Sequence, residues 1–168
     1  TLILKATNYG DAGILLANGS KLILGNGSVI TYNPMGHEYF IYTEANTTLM
    51  VNDSTIEHAG WSSSYPGVEI GYDYGGIGIP AKLIANNATF KDCYVGVTIV
   101  GLANIQIMNS TFVNNAMYGI RVEGDATITV TGTEFTGGKT GIEAIRGTVN
   151  VDVSTFSDMT EYAIIGLN

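Results

Sequence analysis

Apolar and polar residues alternate along this chain in short runs, and one pattern of runs returns about every 22 residues. Its clearest copy begins with Ile105 and Ile107, passes through a polar turn to Phe112, and ends with Gly119 and Ile120. Alternation with period 2 predicts short β-strands, because successive side chains of a strand point to opposite faces. Each repeat is therefore predicted to contain a strand, a polar turn, an inward aromatic residue, a loop and a second strand that begins with glycine.

The spacing of the repeats predicts a solenoid. Four copies contain Phe90, Phe112, Phe135 and Phe156, so the steps between them are 22, 23 and 21 residues. A period near 22 residues with little helical patterning is typical of stacked coils. We expect an all-β parallel solenoid of about six to seven coils. The rival folds are an up-and-down barrel and a β-sandwich, which rarely repeat their residues in columns.

Alignment of the copies predicts which side chains share a column inside the solenoid. The column seven residues before the aromatic position contains Ile23, Leu49, Leu83, Ile105, Ile128 and Val149. The aromatic column itself contains Ile30, Ile56, Phe90, Phe112, Phe135 and Phe156. A third column, two residues before the aromatic position, contains small residues that suit a tight inner corner. In a first, partial coil we expect Leu2 and Leu4 to point inward, with Tyr9 at the aromatic position.

Two stretches interrupt the period and are predicted to be loop insertions in a single domain of residues 1–168. They span about 31–39 and 58–80, and the second contains a short strand at 68–70. Insertions in solenoids form loops, often on the binding face. The aromatic residues in or beside them are Tyr39, Tyr42, Trp61, Tyr65, Tyr72 and Tyr74. Three roles stay open for these rings, namely covering the solenoid, self-association and stacking on sugars.

These repeats resemble the right-handed parallel β-helix family, in the pectate-lyase-like and NosD-like group of carbohydrate-binding and sugar-hydrolase repeats. The resemblance rests on the Asn-Ser-Thr-Phe phrase at 109–112, on related phrases at 87–90 and 154–156, and on the glycine-led pairs at 96, 119 and 141. It implies a right-handed, single-stranded solenoid and a prokaryotic cell-surface protein. Lyases of this family use an acidic calcium cluster with a basic proton acceptor, and its hydrolases use paired or triple aspartates.

A catalytic site of this kind would need acids that converge on one outward face of adjacent coils. The outward column of the glycine-led strands is predicted to contain Leu15, Tyr42, Glu69, Thr98, Arg121, Glu143 and Ile165. We expect Arg121 and Glu143 to form an exposed ion pair with little effect on stability. The alternative is that Arg121 acts as a catalytic base flanked by Glu123 and Glu143. We predict no catalytic residue and no cofactor, although enzymatic activity stays open.

The remaining candidate ligands do not predict a metal site. His37 and His58 have no cysteine or acid at the spacing of zinc ligands. The single cysteine, Cys93, is expected to be a buried thiol that packs like a small apolar residue. An intermolecular disulfide is the alternative.

Net charge and hydropathy limit the classes of partner that the protein is expected to bind. The chain has 15 acidic and 7 basic residues, for a net charge of −8, which disfavours nucleic acid and anionic membrane surfaces. No apolar run approaches the roughly 18 residues that predict a membrane span. Asn-X-Ser/Thr triplets, which suit glycosylation of an exported protein, begin at Asn18, Asn26, Asn46, Asn52, Asn87 and Asn109. The alternative is that these residues form the turns of the solenoid.

Two functions follow from these patterns. The first is a non-enzymatic extracellular module that self-associates into a cell-surface layer, sheath or filament. It is suggested by Leu2, Leu4, Ile164 and Ile165, which make both ends apolar and without visible caps. The partner would be a second copy or a neighbouring module of a longer chain. The alternative is a carbohydrate-binding or polysaccharide-processing module that contacts glycans through the aromatic insertion.

Overall fold

The computed structural model describes residues 1–4, 12–17, 19–32, 38–72 and 78–167. Within these ranges the chain forms twenty β-strands and no helix. The strands are β1 (Leu2–Leu4), β2 (Gly13–Leu16), β3 (Lys21–Leu24), β4 (Val29–Tyr32), β5 (Phe40–Glu44), β6 (Thr48–Asn52), β7 (Thr55–Glu57), β8 (Gly67–Tyr72), β9 (Ala81–Asn86), β10 (Thr89–Lys91), β11 (Val95–Ile99), β12 (Ala103–Met108), β13 (Thr111–Val113), β14 (Tyr118–Val122), β15 (Ala126–Thr131), β16 (Glu134–Thr136), β17 (Thr140–Ala144), β18 (Thr148–Asp152), β19 (Thr155–Ser157) and β20 (Tyr162–Gly166).

Each strand pairs in parallel with the strand that lies three places further along the chain, so the strands form three parallel sheets. Sheet I has the order β1-β4-β7-β10-β13-β16-β19, sheet II the order β2-β5-β8-β11-β14-β17-β20, and sheet III the order β3-β6-β9-β12-β15-β18. The described strands make six complete coils, from β2–β4 to β17–β19, with β1 before them and β20 after them. The predicted parallel solenoid is confirmed, with about six turns.

The phenylalanines of sheet I form one continuous stack, as the repeat spacing predicts. The ring centroids of Phe90, Phe112, Phe135 and Phe156 are 4.9, 4.8 and 4.7 Å apart in succession, and the rings are nearly parallel. These distances match the spacing of about 4.8 Å between neighbouring strands. The first three rings are buried and the last is half-buried, and Ile56 continues the same column.

Glycine is the second residue of β11, β14 and β17 in sheet II, because the phenylalanine stack leaves no room for a side chain there. A Cβ atom on Gly119 would lie 2.7 Å from the carbonyl oxygen of Gly141 and 2.7 Å from the ring of Phe135. Real Cβ atoms do not approach other atoms so closely. The glycine of sheet II thus makes the space that the phenylalanine of the same coil fills from sheet I.

A ladder of small side chains joins the coils at the corner between sheets III and I. The Ser110 hydroxyl accepts a hydrogen bond from the backbone N–H of Ala88 at 3.2 Å and donates one to the carbonyl oxygen of Met108 at 2.8 Å. The Ser154 hydroxyl accepts in the same way from the N–H of Thr133 at 3.2 Å. The predicted column of small corner residues is confirmed, and it satisfies backbone donors that the turn would otherwise bury unpaired.

The first complete coil departs from the predicted columns by one residue. Leu22, not Ile23, pairs with Leu49, and Ile23 is exposed. The corner before Ile30 contains one more residue than the corner before Ile56, because Leu22 precedes its aromatic position by eight residues and Leu49 by seven. Counting back seven residues therefore selected the wrong face, since adjacent side chains of a strand point to opposite sides.

The prediction for the first, partial coil is also wrong. Leu2 pairs with Ile30 and Leu4 with Tyr32, so β1 belongs to sheet I and Leu2 itself occupies the aromatic column. Tyr9 lies outside the described residues. Two inward leucines at a spacing of two fit a strand of any sheet, so the pattern did not distinguish sheet I from sheet III.

Candidate functional site

The outward side chains of sheet II form a row across seven strands. The register aligns Leu15, Tyr42, Glu69, Thr98, Arg121, Glu143 and Ile165, one from each strand. This outward column is confirmed as the sequence predicts it. We call its central part, Glu69, Thr98, Arg121 and Glu143, the polar row; its members lie on neighbouring strands about 4.8 Å apart.

The polar row is more buried than its outward direction suggests. Glu69, Thr98 and Glu143 are only 7 %, 3 % and 8 % exposed. The expected ion pair forms, with Nε of Arg121 2.8 Å from Oε2 of Glu143, but the expectation that it is exposed is wrong. The alternation of the sequence gives the direction of a side chain, whereas its burial depends on the bulk of its neighbours in the adjacent coils.

Arg121 is the centre of the charged part of this surface. Its Nη1 atom lies 2.7 Å from Oε1 of Glu123, and its Nε atom contacts Glu143. Its guanidinium packs over the ring of Tyr118, 5.3 Å from the ring centroid. Burial, followed by the charge of Glu143, raises the pKa of Tyr118 above its usual value. Arg121 is thus held by two carboxylates and an aromatic ring.

Glu69 has a different environment from these paired acids. Among the described residues its carboxyl has no hydrogen-bond partner. Burial, and to a lesser extent the charge of Glu123, raises the pKa of Glu69 to about 7. Near neutral pH much of this side chain is therefore the protonated acid, which can donate as well as accept a hydrogen bond.

The hydroxyl of Thr98 is buried without a hydrogen-bond partner, and no other side-chain oxygen or nitrogen in the described part of the chain is in that state. Thr98 lies between Glu69 and Arg121 in the row. A buried hydroxyl that lacks a partner costs about 1–3 kcal/mol. Such groups are rare in proteins, so each calls for an explanation.

Two pairs of aromatic rings lie beside β8, the strand that contains Glu69. Trp61 and Tyr65, in the turn just before β8, stack with centroids 4.6 Å apart. Tyr72, the last residue of β8, is parallel to Tyr42 of β5 at 6.4 Å. The two interrupted repeats are thus neighbours in space. Trp61 and Tyr65 precede β8, Tyr72 ends it, and Tyr42 lies beside Glu69 in the neighbouring strand β5.

One of the predicted aromatic contacts, Tyr39, does not belong to this surface. Tyr39 is completely buried, and its hydroxyl donates a hydrogen bond to the carbonyl oxygen of Ile30 at 3.0 Å. Burial raises the pKa of Tyr39 well above its usual value. It is a core residue and cannot contact a partner, because its ring packs inside the first coils. Tyr74 lies outside the described residues.

The other candidate ligands are dispersed. Within the described ranges, no group of three or more His, Cys, Asp or Glu side chains could hold a metal ion. His58 packs edge-on against Tyr32 at 5.1 Å, and His37 is outside the described residues. Cys93 is buried as expected, and burial raises the pKa of its thiol to about 12. Its thiol is therefore protonated and unreactive at neutral pH.

Most of the described Asn-X-Ser/Thr triplets begin at tight corners. The backbone is left-handed at Asn26, Asn46, Asn87 and Asn109, with φ between 48° and 59°. Asparagine tolerates this conformation better than most residues do. The four side chains are exposed, whereas Asn52 is half-buried in β6 and Asn18 is not described. The corner geometry therefore accounts for these four asparagines without glycosylation.

The residues proposed as end contacts differ in orientation. Leu2 is exposed and Leu4 is half-buried at the start of sheet I. Ile164 continues an interior column, because it pairs with Ile142, yet it is 47 % exposed. Ile165 is half-buried and belongs to the outward column of sheet II. Ile164 is thus the apolar interior residue that β20 leaves open to solvent.

Sheet III carries a second concave surface. It is a groove of about 420 Å³, and Lys82, Asn104, Gln106, Thr127 and Thr129 line it together with Ile84. Apart from Ile84 and Ile105 the lining side chains are polar, and none is aromatic. The groove thus contains no ring on which a ligand could stack.

Comparison with known proteins identifies the fold. The sequence model of a family described as the right-handed β-helix region matches residues 5–168, nearly the whole chain. No curated protein shows a significant match to the sequence. In the described part of the chain, no helix is long and apolar enough to cross a membrane.

Proposed function

The chain belongs to the right-handed β-helix family, and on that premise we propose that it binds carbohydrate along the outer face of sheet II. One observation carries the proposal: two stacked ring pairs flank Glu69. Trp61 and Tyr65 stack in the turn before its strand, and Tyr42, the neighbour of Glu69 in the register of β5, stacks on Tyr72 at the end of that strand. Rings with a polar tip suit a sugar, which has apolar C–H faces and polar edges. A few convergent polar groups beside such rings are typical of a ligand site.

We propose binding rather than cleavage as the activity. Hydrolysis of a glycosidic bond generally requires two carboxyl groups in opposite roles, one as acid and one as base or nucleophile. Glu123 and Glu143 both pair with Arg121, so of these three carboxyls Glu69 alone has no partner among the described residues. This arrangement supports recognition of hydroxyl groups more directly than proton transfer at two positions.

A glycan array tests this proposal. We expect the protein to bind one class of oligosaccharide and Trp61→Ala to weaken that binding at least tenfold, because the stacked ring pair is lost. Tyr162→Ala is the matched control, since Tyr162 is an exposed ring four strands from β8 in sheet II. Absence of binding to any glycan, or equal binding by the Trp61 variant, contradicts the proposal.

A second candidate function is self-association through the ends of the solenoid into a surface layer, sheath or filament. The observation that favours it is the exposure of Ile164, whose side chain continues the interior column. In the described structure β18, β19 and β20 each have a paired strand on one side only. A second copy, or a neighbouring module, would extend all three sheets and bury the open core.

Sedimentation velocity tests whether the protein associates through its ends. We expect oligomers that dissociate on Ile164→Lys, because a charge would enter the buried contact. Leu102→Lys is the control, since Leu102 is exposed to the same extent but lies in the middle of the solenoid. A protein that is monomeric at millimolar concentration, or oligomers that persist in the Ile164 variant, would refute end-to-end association.

We also propose that the protein works at the surface of a prokaryotic cell, outside the cytoplasm. The acidic composition supports this location. The Asn-X-Ser/Thr triplets add no support of their own, because the corner geometry accounts for four of them. Mass spectrometry of the native protein tests it together with glycosylation. Peptides containing Asn46 or Asn109, both exposed, are the first to inspect for glycan mass. Recovery of the protein from the cytoplasmic fraction alone would contradict the proposal.

A further inference from the structure

We infer that the ligand of the polar row is an uncharged sugar, whose hydroxyl groups pair with Glu69 and Thr98, and that the site rejects uronic acids. The inference rests on the proposed carbohydrate binding and adds the class of sugar. It stands on two independent observations, which are the distribution of charge around the row and the unpaired hydroxyl within it.

The charge around the row disfavours an anionic ligand. Arg121 is the only cation of the row, and it is engaged by both Glu123 and Glu143. These three side chains already carry one net negative charge, and ionised Glu69 would add another. Glu44 ends β5, the strand next to β8. Among the described residues beyond the row, the cation Arg146 is exposed, donates from Nε to the carbonyl oxygen of Glu123 at 2.8 Å and lies three coils from Glu69. A uronate beside Glu69 would therefore meet repulsion without a cation next to it.

The unpaired groups of the row match the chemistry of sugar hydroxyls. Thr98 is 3 % exposed and its hydroxyl has no partner, while the neighbouring Glu69 carboxyl has none among the described residues. A sugar hydroxyl both donates and accepts, so it can pair with a carboxyl in either protonation state and with a threonine hydroxyl. Because the Thr98 hydroxyl is buried, the ligand must displace a neighbouring side chain in order to reach it.

The geometry also explains why an uncharged ligand fits this position. Burial opposes the charged form of Glu69, and a bound sugar would exclude still more water from it. Hydrogen bonds from an uncharged partner compensate for the lost water without adding charge. A second carboxylate at this place would instead have to be desolvated next to Glu69 and Glu123.

Isothermal titration with matched oligosaccharides tests the inference. The probes are neutral gluco- and galacto-oligosaccharides and the same chains oxidised to uronic acids at C6. We expect the neutral chain of the bound pair to bind at least tenfold more tightly at pH 7. Because repulsion between charges is screened by salt, the uronic form should gain affinity as salt rises, while the neutral form should not.

Four substitutions at three positions of the row, with one control outside it, separate the contributions of its side chains to binding. Thr98→Val, which keeps the shape of the side chain, and Glu69→Ala should each weaken binding of the neutral sugar at least tenfold. Glu69→Gln should stay within threefold of the parent protein, because an amide also donates and accepts. Glu143→Gln should release Arg121 and strengthen binding of the uronic chain at least tenfold. Glu134→Gln, on the exposed face of sheet I, should change neither affinity.

The outcomes distinguish this inference from the proposed function. Equal or tighter binding of the uronic chain would overturn the inference and leave carbohydrate binding standing. Binding of the neutral chain that is unaffected by both Thr98→Val and Glu69→Ala would move the ligand away from the polar row and equally overturn the inference. Failure of both chains to bind, in a panel that covers other sugars as well, would refute the proposed function itself.

Discussion

At the Glu69 carboxyl, burial and a neighbouring negative charge act in the same direction, and both favour the protonated acid. The pKa rises from an ordinary value of 4.5 to about 7 on folding. Since the folded pKa lies above the unfolded one, the stability that this group contributes is fully present below pH 4.5. It is lost as the pH rises through about 7.

Replacing Glu69 should therefore change how stability depends on pH. A shift of this size corresponds to about 3 kcal/mol, so Glu69→Gln should make the protein less sensitive to pH between 4.5 and 8 by up to that amount. Urea unfolding at the two pH values measures the difference. Glu134→Gln, an exposed acid, should keep the parental pH dependence. An unchanged slope in the Glu69 variant would mean that this carboxyl is not perturbed.

The backbone at Val153 is left-handed, a conformation that glycine and asparagine adopt more readily than valine does. The φ of Val153 is 46°, and the residue is 78 % exposed. The corresponding corners of earlier coils contain Asn87 and Asn109, with φ of 55° and 48°. A β-branched residue is strained there, at a cost of about 1–2 kcal/mol. The strain has no compensating apolar contact, because the side chain is in solvent.

Val153→Asn should consequently stabilise the protein by about 1 kcal/mol. Thermal or urea unfolding measures the gain. Ser157→Asn is the control, because Ser157 is also exposed but is not in the left-handed region, and it should change stability by less than about 0.5 kcal/mol. Loss of stability in the Val153 variant would argue that the valine has a contact that offsets its strain.

Among the elements, the phenylalanine stack of sheet I carries much of the core. Phe112 has a ring on each side, at 4.9 and 4.8 Å, whereas Phe156 has a neighbour on one side and is half-buried. Phe112→Ala should cost about 3–5 kcal/mol. Phe156→Ala should cost roughly half as much, because less surface is buried there. Urea unfolding of both variants measures this ratio, and equal losses would contradict it.

The link between β14 and β17 should also be stronger than a surface ion pair. Removal of Arg121 leaves Glu123 and Glu143 close together and uncompensated, so Arg121→Ala should cost about 2–3 kcal/mol. Lys139, in an exposed pair with Glu161, is the matched control, and Lys139→Ala should cost less than about 1 kcal/mol. Urea unfolding measures the loss of stability in each variant. Similar losses for both would show that the partial burial of Arg121 adds nothing to the stabilisation by its ion pairs.

The elements also show where prediction from sequence succeeds and where it stops. The phenylalanine stack and the outward column of sheet II follow from alternation and a fixed period, so their residues were predictable. One additional residue in the corner before Ile30 was enough to shift the prediction from Leu22 to Ile23. The burial of Glu69 and Thr98 was not predictable, because it arises from side chains of neighbouring coils whose bulk no local pattern encodes.

For the whole molecule, the repeat makes coils interchangeable units. Thr136 pairs with Val113 of the preceding coil, so deletion of residues 113–135 joins Phe112 to Thr136 and preserves every column. We expect this variant to fold cooperatively, with β-type circular dichroism and lower stability, and to lose Arg121 from the polar row. Deletion of about half that length, residues 113–124, should fail to fold, because the following strands would enter the wrong sheets. A folded half-coil variant would disprove register control by the columns.

The turn between β7 and β8 occupies residues 58–66, whereas the equivalent turn of the next coil, between β10 and β11, occupies only residues 92–94. Both coils nevertheless keep the same register in sheet I, where Ile56 pairs with Phe90 and Phe90 with Phe112. Turn length and scaffold are therefore decoupled at this corner. A foreign loop grafted in place of residues 61–65 would change what the surface binds, while the three-sheet solenoid beneath it keeps its shape. This corner is therefore the place at which to redesign specificity.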